Sequence, residues 1–375
     1  MATKPTIVVS YYDSNITPFG SLPYVQTVSW SAGRANITDQ WSGSTCLITG
    51  RSPSTITYPP QIGNKVRVVV TNAGSTNTAT FYGYVSDWRV IYGITAAYDT
   101  YELTVESGYA KAGRGTATIT TTAGASTQAM ATSIQTSLGG VDAVDVSTGW
   151  GSTTSAQTLT GQVSDSVNRL MATEQGTVID TGSSFTGYPQ SFKTKLGLSG
   201  RNDPNLGLPI LAFSDVPDSN NSAYSEIQFL SSAQNYGTKV VIQSSGLADQ
   251  SSGSGDYVQT ISTISGSTSE AANLAGYVQA ELNLSTAVPY GLTTTGAVSN
   301  ATPYIMAAAD PANIHQGVSI VFRGNTYYCL LEGLSFSANQ TDWRVNLYLS
   351  SSLQNAFFRI GNTVYGRLDN NKLGF

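Results

Sequence analysis

Tyr58-Pro-Pro-Gln-Ile-Gly-Asn-Lys-Val-Arg-Val-Val-Val70 is followed by Phe81-Tyr-Gly-Tyr-Val-Ser-Asp-Trp88 and then by Tyr101-Glu-Leu-Thr-Val-Glu106. In the first stretch Val66, Val68 and Val70 alternate with Lys65, Arg67 and Val69 behind a Pro-Pro and Ile-Gly turn, and the second repeats the period of two with aromatics around Gly83. A period of two bounded by Gly and Pro is the pattern of half-buried antiparallel sheet. Outward from this stretch, further strand-like runs lie at residues 6–12, 25–30 and 45–49, each ended by Gly, Pro, Ser or Asn. Together they predict a small antiparallel β-barrel over residues 1–112.

Composition limits what such a protein does. The chain has 375 residues, more than one core usually serves, so several domains are expected. Charged residues make up 11%, against roughly 25% in typical soluble domains. Ser, Thr, Asn and Gly fill the gap, and a surface so poor in charge suits a chain buried in an assembly. With a net charge of -5 and no dense run of Lys and Arg, the chain lacks the footprint of stable nucleic-acid binding. A mildly acidic wall does suit a conduit through which DNA passes transiently. The densest basic run, Lys111-Ala-Gly-Arg114, reads as a solvated turn after the barrel. Cys46 and Cys329 each sit in an apolar strand-like run, where buried unpaired thiols are expected, with one long-range disulfide as the alternative. No apolar run approaches the roughly 20 residues that span a bilayer, and the N-terminus lacks the apolar core of a cleaved signal, so neither a membrane span nor secretion by such a signal is expected.

After the barrel the pattern becomes mixed. Residues 113–222 read as an α+β middle domain: a low-charge, Thr-rich strand or linker at 115–124, a helix with Met130, Ile134 and Leu138 on one face, and a clearer helix with Val163, Val167, Leu170 and Met171 on one face, ended by Gly176. Residues 223–350 read as a second β-barrel with strands near 226–230, 238–243, 257–262, 317–323, 325–333 and 342–350. Within it a helix at about 267–282 opens with Ser267 and Glu270 in capping-box spacing. Residues 351–375 form a C-terminal extension. The runs that begin at Ile62-Gly63 and Gln316-Gly317 both enter a strand from a Gly turn, and each is followed by a strand with a glycine (Gly83, Gly333) and a downstream tryptophan (Trp88, Trp343). This similarity predicts that the two barrels are copies of one unit.

Several of these pieces resemble a family of tailed-bacteriophage minor tail and baseplate hub proteins. The resemblance rests on the Pro-x-x-x-Gly-x-x-Val-x-Val strand at 59–68, with Arg51-Ser-Pro53 where the family often has Asn-Pro. It continues in the Phe81-Tyr-Gly-Tyr-Val-Ser-Asp87 strand, the Ala172-Thr-Glu-Gln-Gly176 helix end, the 267–282 helix and the closing Asp342-Trp-Arg-Val-Asn-Leu-Tyr-Leu349 strand, together with Gly366-Arg-Leu-Asp369 near the end. The resemblance implies a noncatalytic virion protein at the distal end of a phage tail, a homotrimer whose two barrels continue the tail-tube bore and meet other tail proteins, tube on one side and tip or fibre on the other. Three chains with two like barrels each present six quasi-equivalent units, which removes the mismatch with a sixfold tube. It also implies that the 267–282 helix packs on the second barrel. Candidate inter-subunit contacts are Arg34, Trp88, Tyr92, Tyr98, Trp343 and Phe358.

Catalytic chemistry finds little support. The single histidine, His315, sits in a loop, without a Gly-x-Ser-x-Gly elbow or a His-Glu-x-x-His helix in the chain. Glu174, which taken alone could be an acid catalyst, reads as structural. No catalytic, cofactor-binding or metal-binding residues are expected, and no cofactor. Competing readings are a hexameric distal tail adaptor, a module that binds host glycan or receptor through Tyr and Trp on β-loops, and a glycan hydrolase, which needs two carboxylates roughly 5–9 Å apart.

Overall fold

Alternation along the chain sets the two faces of every strand, and the edges then decide how the strands join. The computed structural model describes residues 4–12, 18–72, 78–137, 144–146, 152–174, 176–182, 189–195, 211–218, 221–229, 238–282, 289–296, 304–314 and 316–351. The first seven strands are β1 (Pro5–Tyr12), β2 (Pro18–Ser21), β3 (Val25–Gly33), β4 (Ser42–Arg51), β5 (Lys65–Asn72), β6 (Thr78–Ile91) and β7 (Thr100–Glu106). The middle part holds α1 (Gly108–Gly113), β8 (Thr116–Thr121), α2 (Thr127–Ser137), β9 (Val144–Val146), β10 (Gln157–Gln162), α3 (Val163–Glu174), β11 (Thr177–Gly182) and β12 (Pro189–Lys195). There follow β13 (Leu211–Ser214), β14 (Glu226–Phe229), β15 (Thr238–Ser244), β16 (Gln250–Ser252), β17 (Tyr257–Thr263), α4 (Thr268–Leu282), β18 (Pro289–Thr295), α5 (Tyr304–Ala307), β19 (Gly317–Phe322), β20 (Asn325–Asn339) and β21 (Trp343–Ser351).

The mainly β class with a mixed middle part agrees with the sequence. Most strands of the two predicted barrels, however, lie in one thirteen-stranded sheet, in the order β14-β18-β21-β20-β3-β4-β7-β6-β5-β1-β2, with β19 and β13 branching from β20. Among the described residues no strand pairing closes this path into a barrel. The duplication predicted from the Gly turns is visible in the strand order. β3-β4-β7-β6-β5 in the first half matches β14-β18-β21-β20-β19 in the second. In each half one long strand bends through a bulge, β6 between Val85 and Asp87 and β20 between Leu331 and Gly333. Before the bend it pairs with one neighbour (β5 or β19), and after it mainly with another (β7 or β21). Bulges turn a strand in this way by adding one residue against the partner. The tryptophans are not equivalent, since Trp88 lies on β6 while Trp343 opens β21.

The second half differs by an insertion. Where residues 34–41 join β3 to β4, the chain between β14 and β18 contains a separate three-stranded sheet, β16-β15-β17, covered by α4. Val240 and Ile242 of β15 bury against Ala271, Leu274, Ala275 and Val278 of the helix. The helix thus packs on its own small sheet and not on the second barrel, because its apolar stripe is matched by the alternate residues of the strand beside it. Ser267 caps it, with Glu270 N–H 3.5 Å from Ser267 Oγ. The Glu270 carboxylate does not complete the capping box; it accepts from the Thr153 backbone N–H (3.2 Å) and the Thr153 hydroxyl (3.0 Å) and so ties the helix to the middle part. Glu174 is structural as read, accepting from Ser152 N–H at 2.9 Å and from the Thr127 hydroxyl. Gly176 N–H bonds Met171 O at 2.8 Å and ends α3 as expected. Lys111 lies in α1 and not in a turn, its ammonium 3.8 Å from the Tyr84 ring centroid, and Arg114 pairs with Glu106.

Both halves share a core. Trp30 lies between Phe81 of the first half (5.9 Å between ring centroids) and Phe336 of the second (4.2 Å), and its Nε1 donates to Ala309 O at 2.9 Å. Truncating such a buried aromatic typically costs about 3–5 kcal/mol. Cys46 and Cys329 are both free and buried, and burial pushes the Cys329 thiol up to about 12 and the Cys46 thiol higher still.

Candidate assembly interface

The junction of the halves is built from two glycines and an ion pair. β20 runs antiparallel to β3 with Gly333 opposite Gly33 and Asn339 opposite Thr27. A Cβ on Gly33 would lie 2.3 Å from Glu332 O, and one on Gly333 2.5 Å from Arg34 O, so the two backbones meet only because neither residue has a side chain. Gly33 also holds φ +81°, which glycine adopts at little cost. Next to them Arg34 Nε donates to Glu332 Oε2 at 2.8 Å, with the side chains 7% and 0% exposed. Ser350 Oγ donates to the other carboxylate oxygen of Glu332 at 2.6 Å. The Arg34 guanidinium stacks 4.5 Å from the Trp41 ring centroid, and Trp41 N–H and Nε1 reach Asn168 Oδ1 (2.9 Å) and Gly176 O (3.2 Å). One run of contacts therefore locks both halves to α3.

The candidate contact residues separate by burial. Arg34 is almost fully buried and pairs with Glu332 within the same chain. The sequence could not show this pairing because the two residues stand 298 positions apart. Trp343 is 1% exposed, a core residue, since it begins β21 on the buried face. Trp88 is partly buried, its ring 5.3 Å from Tyr101. Tyr92 and Tyr98 are 79% and 72% exposed. They belong to an uncharged stretch, residues 91–98, in which every residue is exposed, and Asp99 Oδ1 pins it by accepting from Gly93 N–H at 2.9 Å. Phe358 and His315 lie outside the described residues.

The outward face of the sheet crosses the junction without a change of character. Ser29 and Ser31 of β3 stand opposite Ser337 and Ser335 of β20, Ser31 also opposite Thr45 of β4, and Ser335 opposite Asn346 of β21. Towards the flanks of this face, Arg89 pairs with Glu102 (3.6 Å) and Arg344 with Glu226 (3.7 Å). On the other side, Asp310 caps the turn at Pro311–Asn313 by accepting from Ala312 N–H at 2.9 Å. Desolvation raises its carboxyl to about 6, against the opposing hydrogen bonds from the Ala312 and Thr80 backbone. Among the described residues no cluster of His, Cys, Asp and Glu is arranged to hold a metal ion, and no helix is long and apolar enough to cross a membrane.

No protein-family model and no curated protein matches the chain by sequence. Solved structures match its fold. A tail protein from Neisseria meningitidis MC58 superposes with a TM-score of 0.61 at 11% identity over 92% of this chain and 97% of that one. The 43 kDa tail protein of prophage MuSo2 from Shewanella oneidensis does so with a TM-score of 0.56 at 13% identity, over 92% and 97%. The E. coli c3393 protein, a type VI secretion component described as structurally similar to the T4 tail proteins gp27 and gp5, gives 0.55 at 10% identity, over 92% and 76%. The chain thus has the fold of phage tail and type VI secretion proteins, the one its sequence motifs resemble.

Proposed function

We propose that the chain is a noncatalytic structural protein of a phage-type tail, the hub of the baseplate, which continues the tail tube and joins it to tip or fibre proteins. The observation that carries this reading is the single sheet spanning two like halves, whose outward face carries Ser and Thr hydroxyls across the junction and paired Arg and Glu towards the flanks. Such a face offers DNA no row of cations, so passage releases no counterions and leaves nothing to hold the polyanion. The face lines the bore. The first half (residues 1–112) and the second half (223–350) form the ring, and the middle domain projects from it to hold neighbouring proteins. Three chains present six like units to a sixfold tube. Electron microscopy of particles from a host lacking the gene tests this. The hub reading expects particles without a baseplate and restoration when the gene is supplied; normal tails in its absence would refute it.

A further inference from the structure

The intrachain junction is one of two that the duplication calls for. Matching the halves at their bulges aligns Val85 with Leu331, Asp87 with Gly333, Val90 with Phe336 and Ile91 with Ser337. Carried across β7 and β21, then β4 and β18, the same register aligns Val28 with Ile227 and Ser29 with Gln228. In the second half, β20 beyond its bulge is paired on both sides, with β21 and with β3. In the first half, β6 beyond its bulge is paired only with β7, and its other side has no strand among the described residues. The counterpart of β3, which is β14, has β18 on one side and, among the described residues, no strand on the other. Among the described residues one open edge of each kind thus remains, and they are the two halves of the junction already present between β3 and β20.

We propose that β14 of a second copy pairs antiparallel with the end of β6 and the residue after it, residues 90–92, repeating the β3–β20 junction between chains and closing the sheet into a ring. The chemistry on each edge fits. Main-chain N–H and C=O groups supply the pairing, and the register sets Ile91 opposite Gln228, with Tyr92 next to Ile227 and Val90 next to Phe229 of the neighbouring copy. Val90, Ile227 and Phe229 are half-buried in the single chain and Tyr92 is exposed, and their counterparts at the intrachain junction, Phe336, Val28, Trp30 and Ala338, are buried. The contact is head-to-tail, so it closes only as a ring. The glycine and ion-pair lock is absent from the new junction as far as β6 shows it, since Ser86 stands where β20 has Glu332. The inference rests on the ring assembly proposed above.

The test is a pair of cysteines in the full chain, Ile91→Cys with Gln228→Cys, both at exposed positions, while native Cys46 and Cys329 are buried. Ser29→Cys with Ser337→Cys, which are opposite within one chain, is the control for geometry. On mild oxidation the control gives an intrachain crosslink. The Ile91/Gln228 variant gives a ladder of covalent oligomers ending in a closed ring, at least tenfold above either single variant. An assembly of the expected mass without these crosslinks would overturn the strand pairing and leave the hub reading standing. A chain that stays single at high concentration and is missing from purified tails would overturn both.

Discussion

The junction inside the chain and the open edges at its two flanks are the same design in two states. Inside, β3 and β20 meet through Gly33 and Gly333 and are locked by Arg34 and Glu332. At the flanks, β6 and β14 present the corresponding positions with Ser86 in place of the buried glutamate and with exposed Ile91 and Tyr92. A covalently joined pair of halves tolerates a desolvated ion pair because its partners are always present. An edge that must meet another chain avoids an uncompensated buried charge, whose cost exceeds what the pair returns when separated. Apolar side chains and main-chain groups wait in water at far lower cost.

The difference is broken most severely at the glycines. Gly333→Val places side-chain carbon within 2.5–2.8 Å of the Arg34 and Ala32 backbone, and denaturant unfolding should show a loss of more than about 3 kcal/mol or no folded chain. Gly83→Val, two residues before the bend of β6, where a Cβ would meet Glu106 O at 2.3 Å, should be equally damaging. Arg34→Ala should cost about 3–5 kcal/mol by stranding Glu332. The double replacement Arg34→Met with Glu332→Leu should recover most of that loss, and equal instability of single and double variants would show that the lock acts by shape alone.

Asp310 yields a pH-dependent effect. Its folded-state value of about 6 lies above the unfolded 3.8, so the folded chain holds the proton more tightly. Stability then falls as pH rises from about 4 to about 6, and the penalty persists above that. Asp310→Asn keeps an acceptor for Ala312 N–H and should raise stability at pH 7.5 by up to about 2 kcal/mol while flattening the slope between pH 4 and 6. An unchanged slope in thermal melts would place the titration elsewhere. At the open edges the effect on the free chain is smallest. Ile227→Thr or Tyr92→Ser should shift its unfolding by less than about 0.5 kcal/mol and yet weaken assembly, a split readable by combining melts with sizing.

Much of the fold could be read in the sequence because period-two alternation is local. Val66, Val68 and Val70 face the core and the helix stripe of Val163, Val167, Leu170 and Met171 is buried, both as the spacing implies. The doubled unit showed itself in the Gly turns before β5 and β19. The joining of the halves did not show, because alternation fixes which face of a strand is buried but not which strand lies along its edge. Neither the approach of Gly33 to Gly333 nor the pairing of Arg34 with Glu332 has a local signal, because only the pairing of β3 with β20 brings them together. The small sheet under α4 was hidden for the same reason. Its strands have the spacing of the main sheet's strands, and only their pairing sets them apart.

The central claim is that two like halves per chain make a ring of three, and light scattering of the purified full chain over a range of concentrations tests it most directly. The account predicts a mass of three chains at saturation. A stable assembly of six chains would contradict it in favour of an adaptor ring, and a chain that remains single even when built into tails would remove the reason for its open edges.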